Sequence, residues 1–259
     1  MLDFQAALPA LAAVVALAVA GWGLSVAKRD AGIVDSLWSL FFLLGAAVYA
    51  AELDAVGPRA TLLLAMVAIW ALRLSAHITW RNAGEPEDRR YQAIRARNQP
   101  GFAWKSLYLV FGLQGLLAWV ISAPLYAGIG GAAPLGALDY VGATLWALGF
   151  AFETVADAQL ARFRSDPANR GKVLDRGLWR YTRHPNYFGE ALLGWGWFLV
   201  AVAAGGWWTV FAPLLMTLLL LKVSGVALLE KDIGGRRPDY RDYVARTNAF
   251  IPGPRREAA

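Results

Sequence analysis

Residues 176–190 read RGLWRYTRHPNYFGE and bring four actual or potential cations, Arg176, Arg180, Arg183 and His184, to the edge of an apolar run. Asn186, Tyr187 and Glu190 then carry polar groups into that run. Buried polar groups must find partners, so the pattern predicts a site for something anionic at a membrane face. Two other stretches repeat it. Glu153 and Asp157 are four apart, with Arg164 seven further on, which sets all three on one helix face. That stripe either descends into a cavity, with Arg164 on a phosphate and Asp157 on a hydroxyl or amide, or pairs Asp157 with Arg162 or Arg164 at the surface. Lys222 and Glu230 form a similar stripe near the C-terminus, and Asn186 and Glu190 keep the i, i+4 spacing. Three polar stripes at one depth predict a shared pocket.

A second group of polar residues lies earlier in the chain. Asp35, in VDSLW, stands at the start of an apolar stretch. It is either a helix-start carboxylate favoured by the dipole or a desolvated acid that donates a proton to a substrate. Arg73 and His77 are one turn apart on the next stretch and can reach Asp35 or the lipid headgroups; His77 is a further proton-donor candidate. Trp38 and Trp70 are either packing residues or an aromatic wall for a planar apolar substrate.

Membrane helices must position these groups. The chain has 259 residues, 58% hydrophobic and 17% charged, with a mean hydropathy of +0.41, a membrane composition. Apolar stretches at about 6–26, 33–51, 59–80, 107–128, 138–162, 187–203 and 207–230 are each near the ~20 residues a helix needs to cross a bilayer. Their hydrophobicity is continuous rather than alternating, which argues against strands. The expected fold is therefore all-α, a polytopic bundle of seven transmembrane helices in one membrane domain. MLDFQ lacks a positive n-region and Lys28-Arg29 follow the first stretch, so that stretch reads as a transmembrane helix rather than a cleaved signal. Basic residues crowd alternate loops, while the loops at 52–58, 129–137 and 204–206 contain no Lys. The positive-inside rule then places the N-terminus outside and the C-terminus in the cytoplasm, in a multi-pass membrane protein. The net charge of +6 follows from this asymmetry, and its dispersal argues against nucleic acid. With no cysteine and two histidines, thiolate chemistry and a multi-histidine metal site are excluded.

Asp157, Arg164 and RGLWRYTRHPNYFGE, with the tail LLEKDIGGRRPDYRDYVARTNAFIPGP at 228–254, resemble the membrane steroid 5α-reductase family. The likeness runs from about residue 150 onward; earlier it rests on the spacing of the first spans and on VDSLW. It implies a seven-helix reductase that takes hydride from NADPH at its cytoplasmic side. It also implies that Glu153, Asp157, Arg164, Lys172, Arg176, Tyr181, Arg183, His184, Asn186, Tyr187, Glu190 and Lys222 surround that cofactor. Arg164, Lys172, Arg176 and Arg183 would meet phosphates, while Asp157, Asn186 and Glu190 would orient the sugar or nicotinamide. The family stabilises the enolate of its enone with a Glu and a Tyr from the second and third spans. Asp35 stands nearest the first of these, but the Tyr position falls near Trp70, which is no equivalent acid. The resemblance thus predicts residues 1–106 on the substrate side, with Asp35 and His77 catalytic and Trp38, Trp70 and Arg73 at a steroid-like substrate, and residues 107–259 on the cofactor side. No Gly-x-Gly-x-x-Gly follows a strand, so basic side chains must hold the nucleotide. The same Arg-His-Pro-x-Tyr stretch occurs in membrane methyltransferases that use S-adenosylmethionine on prenylcysteine or phospholipids, with Glu230-Lys231-Asp232 half matching their paired acids. That is the alternative reading.

Overall fold

The computed structural model describes residues 7–223, 226, 230 and 239–256. Among these residues the regular elements are all helical, and extended pairing is confined to a parallel bridge between Thr182 and Asn248. Lys231 and Asp232 of the acid pair lie outside the described residues.

Helices occupy all seven apolar stretches. α1 (Leu8–Lys28), α2 (Ile33–Ala51) and α3 (Pro58–Asn82) follow one another through short turns. α4 (Arg89–Arg97) is a short polar helix whose one buried residue is Tyr91. α5 (Phe102–Ile121) contains a π-helical turn at Leu107–Gly112. It ends at Ser122, where α6 (Ala123–Ile129) begins with a proline in its first turn, a position that has no use for an N–H. α7 (Ala137–Ser165), α8 (Pro185–Ala203), α9 (Trp207–Val223) and α10 (Asp239–Arg246) complete the described helices. Four of them, α1, α2, α3 and α5, are long and apolar enough to cross a membrane, the mark of an integral membrane protein. α7 and α8 coincide with the expected fifth and sixth spans but carry more polar groups, and α9 is apolar but shorter.

The chain divides into two compact units. One extends to Gly136 and includes Val200–Thr209; the other holds Ala137–Leu199 and the chain from Val210. In the first unit α5 and α6 pack with α1, α2 and α3. In the first unit Phe42 meets Trp70 edge-on at 5.5 Å, and the Ser39 hydroxyl donates to the Ala71 carbonyl at 2.9 Å, pinning α2 to α3. In the second unit glycines set the spacing of α7 and α8. A Cβ on Gly189 would lie 2.5 Å from the Glu153 nitrogen and the Gly149 oxygen. Small residues let membrane helices approach this closely, since packing rather than hydrophobic exclusion holds them together in lipid. Outside the helices, Trp179 and Leu174 pack with Phe163 and Ala156 and fasten the segment after α7 to that helix.

Candidate functional site

Among the described residues, both units contain polar side chains that meet across helices. In the first, α2 starts at Ile33 and places Asp35 in its opening turn, where a carboxylate is favoured by the helix dipole. α4 is started by Asp88, whose carboxylate accepts from the Arg90 amide at 2.8 Å. This start turns Arg90 and Tyr91 toward α2. Arg90 Nη2 donates to Asp35 Oδ2 at 2.7 Å, and the Tyr91 hydroxyl donates to Asp35 Oδ1. From α5, Gln114 Nε2 donates to the Tyr91 oxygen at 3.1 Å. Both Asp35 oxygens therefore accept hydrogen bonds, one from a full cation. Asp35, expected from the sequence as a proton donor, thus accepts here from Arg90 and from the Tyr91 hydroxyl. Tyr91 is buried, and its pKa is pushed well above its ordinary value, first by that burial and then by the Asp35 charge.

α4 is anchored by Glu87. That carboxylate accepts from the Ala31 amide at 2.8 Å and from Arg95 Nε and Nη2 at 2.9 and 2.7 Å. Burial raises the Glu87 pKa, but these donors and the Arg95 charge outweigh it and hold the carboxyl below its ordinary value. Trp38, half-buried, lies 5.3 Å from Phe42. Trp70 has no exposed surface, so it belongs to the packed interior and not to an open wall. The His77 ring lies 6.0 Å from Trp80 at a tilt of 44°, and Arg73 is half-buried one turn before it on α3.

In the second unit, α7 carries buried Glu153 and Asp157 on one face, and α8 brings Asn186 to them. Asn186 Nδ2 donates to Asp157 Oδ1 at 3.1 Å; Glu190 follows one turn later, half-buried. The turn at 177–180 is held to α7 by Leu178 N donating to Gln159 Oε1 at 3.0 Å and Trp179 Nε1 donating to the Ala156 oxygen at 3.1 Å. Arg183 is bound internally. Its Nε and Nη2 donate to the two Glu230 oxygens at 2.7 and 2.9 Å, and Nη1 donates to the Thr247 carbonyl. His184 Nε2 lies 2.9 Å from Glu230 Oε1, with its ring stacked on Tyr187 at 5.6 Å. The residues 247–253 are strapped to this motif: Arg183 N donates to the Asn248 carbonyl at 2.9 Å and Gly253 N to the Tyr181 carbonyl at 3.1 Å. The expected phosphate ligands thus split. Arg164, Lys172 and Arg176 are exposed to solvent, Arg176 lying 5.9 Å over Phe163, whereas Arg183 and His184 are buried on Glu230. Tyr181 is exposed beside them, and Lys222 is exposed near the end of α9.

Sequence reasoning missed Arg90, Tyr91, Gln114 and the role of Glu230. Tyr91 had a signal: it is an aromatic residue in the otherwise polar run EDRRYQAIRAR, and a polar surface helix keeps such a residue when that face is buried.

A family model described as a protein of unknown function, DUF1295, matches residues 21–247. The uncharacterized protein C594.04c of Schizosaccharomyces pombe is 24% identical over 260 residues, spanning 89% of this chain and 75% of its own length. No solved structure matches.

Proposed function

The chain belongs to the DUF1295 family, which assigns no reaction, and from its own residues we propose that it is a seven-span membrane reductase using NADPH on an apolar enone. The bond reduced is the C=C of a 3-oxo-Δ4 steroid or a related terpenoid. The observation that carries this reading is the Tyr91 hydroxyl on Asp35. Trp38, half-buried, lies one turn further along α2, so the acid stands near an aromatic ring suited to an apolar substrate. In this reading the basic loops, α4 among them, face the cytoplasm and the N-terminus lies outside.

The donor set of the second unit suits NADPH. Arg164, Lys172 and Arg176 are solvent-exposed cations for its phosphates, and the Asp157–Asn186 pair offers a carboxylate and an amide to hydroxyls or a carboxamide. Arg183 is omitted from the phosphate set because Glu230 already engages it in a fork. When bound, NADPH supplies a hydride to the β-carbon of the enone.

Asp35, Arg90 and Tyr91 suit the charge that such a reduction creates. Negative charge grows on the carbonyl oxygen, and a phenol hydrogen-bonded there stabilises it and delivers a proton. Tyr91 rotates its O–H from Asp35 to that oxygen, while Asp35 keeps Arg90 as its partner. The raised pKa of Tyr91 keeps the phenol protonated at neutral pH. The enol then moves its proton to the α-carbon through solvent, and the Tyr91 phenolate recovers a proton from water.

The test is binding of NADPH and of S-adenosylmethionine, side by side, to the detergent-purified protein by thermal shift, followed by NADPH oxidation with steroid enones. Saturable stabilisation by NADPH and enone-dependent oxidation are expected. A response to S-adenosylmethionine alone would make this a membrane methyltransferase and end the reductase reading.

A further inference from the structure

The π turn in α5 has a consequence for Tyr91 that rests on the reductase reading. A π turn adds one residue to the helix, so residues beyond it are rotated by about 100° relative to an unbroken α-helix. The buried positions of α5 record this shift. They run Phe102, Ser106, Val110 and Phe111, then Gly115, Ala118 and Ile121, while Leu113 and Leu116 are exposed. Continued at 3.6 residues per turn from Phe102, the inward stripe would instead pass through positions near 113 and 116. The turn thus carries Leu113 outward and brings Gln114 to the α2–α4 side. Gly112 closes it: a Cβ there would stand 3.0 Å from the Leu107 carbonyl oxygen, inside the widened turn.

We propose that Gln114, aimed by the π turn at Leu107–Gly112, is a positioning residue that sets the direction of the Tyr91 hydroxyl proton and stabilises the phenolate left when that proton departs. The hydroxyl has a single hydrogen, and it lies on Asp35. The group that Gln114 turns to the phenol oxygen is therefore its amide nitrogen, at 3.1 Å, since a carbonyl there would face a lone pair. Two amide hydrogens on that side bar the phenol O–H from pointing at α5. That leaves Asp35, or an acceptor brought up in its place such as the enone oxygen, as the group it points at. Once the proton leaves, the same N–H faces a full negative charge, and such charge-assisted hydrogen bonds are stronger than neutral ones. Arg90 is held on Asp35 and Asp88, so among the described hydrogen bonds to Tyr91 the donor to its oxygen is Gln114.

The test replaces Tyr91 with 3,5-difluorotyrosine in the full-length, detergent-purified chain and follows its ionisation by fluorine NMR, with Asp35 and Arg90 unchanged. Gln114→Met keeps the length and removes the donor, and is expected to raise the ionisation midpoint by about one pH unit or more. Gln114→Glu supplies only acceptors and is expected to raise it further. An unchanged midpoint in Gln114→Met overturns the proposal; if that variant does not accumulate, the same result in Gln114→Glu does so. In enone turnover, Gln114→Met is expected to lower kcat about tenfold with the KM for NADPH unchanged. The titration needs no turnover. A chain that reduces no enone but shows the shift removes the reductase reading and keeps Gln114 as the residue that sets the Tyr91 proton.

Discussion

The two polar clusters are built in opposite ways. In the second unit a conspicuous motif, Arg183-His184-Pro185, is absorbed by the fold: Glu230 and the carbonyls of the 244–248 segment occupy its donors. In the first unit an isolated carboxylate, Asp35, collects a phenol and a guanidinium from a polar helix outside the spans. The first arrangement is saturated, with a guanidinium forked onto a carboxylate and capped by main chain. The second keeps a movable proton, because a phenol O–H rotates about a single bond while its ring stays packed. Density of charged residues in a sequence thus marks where a fold needs internal neutralisation as readily as where it meets a ligand.

The sharpest way to break this comparison is Tyr91→Phe. It keeps the ring, removes the proton, and is expected to lower enone turnover by about 10²–10⁴-fold with the NADPH thermal shift intact; full activity would remove Tyr91 from the chemistry. Glu230→Ala tests the other half. It leaves Arg183 and His184 buried without their carboxylate and is expected to cost about 3–5 kcal/mol in a reversible unfolding assay. Loss of NADPH binding at unchanged stability would instead make the cluster a ligand site. Asn186→Ala sharpens the boundary within the second unit: it is expected to weaken NADPH about tenfold, the worth of one hydrogen bond, read by calorimetry on a protein that still inserts.

The smallest effect concerns the anchor of α4. Because the Glu87 pKa is lowered in the folded protein, its contribution is fully present above the unfolded value of 4.5 and is lost as pH falls through the folded value. Protonation releases Arg95 and the Ala31 amide, so cleavage of the 83–101 segment by an acid-active protease is expected to rise as the pH falls below that unfolded value and through the lower folded one. Glu87→Gln is expected to abolish that rise, at a cost under ~1 kcal/mol because the pair is partly exposed.

Parts of both clusters were legible in the chain. The Asp157–Asn186 contact follows from two polar stripes at helical spacing, since each i, i+4 pair fixes a face and apolar helices turn polar faces toward one another. The break after Ile121 was less so: the 107–128 stretch reads as one span, and Pro124 ends it only because Ser122 lets α6 start afresh. The pairing of Tyr91 with Asp35 was illegible because the two lie 56 residues apart; the lone aromatic in RRYQAIRAR marked a buried face but not its partner. Glu230 was equally hidden, 47 residues from Arg183; its spacing suggested a stripe with Lys222, whereas the carboxylate turns to the motif before α8.

What the sequence by itself determined is the set of apolar helices and their asymmetry of charge, because backbone polar groups in lipid must be satisfied within each helix and that leaves composition and length to decide. The meetings of Tyr91 with Asp35 and of Glu230 with Arg183 were decided only by tertiary structure. A rotation of about 100°, such as that from the extra residue in the π turn before Gln114, moves a side chain from one face to another, and no local spacing records which face its partner will occupy.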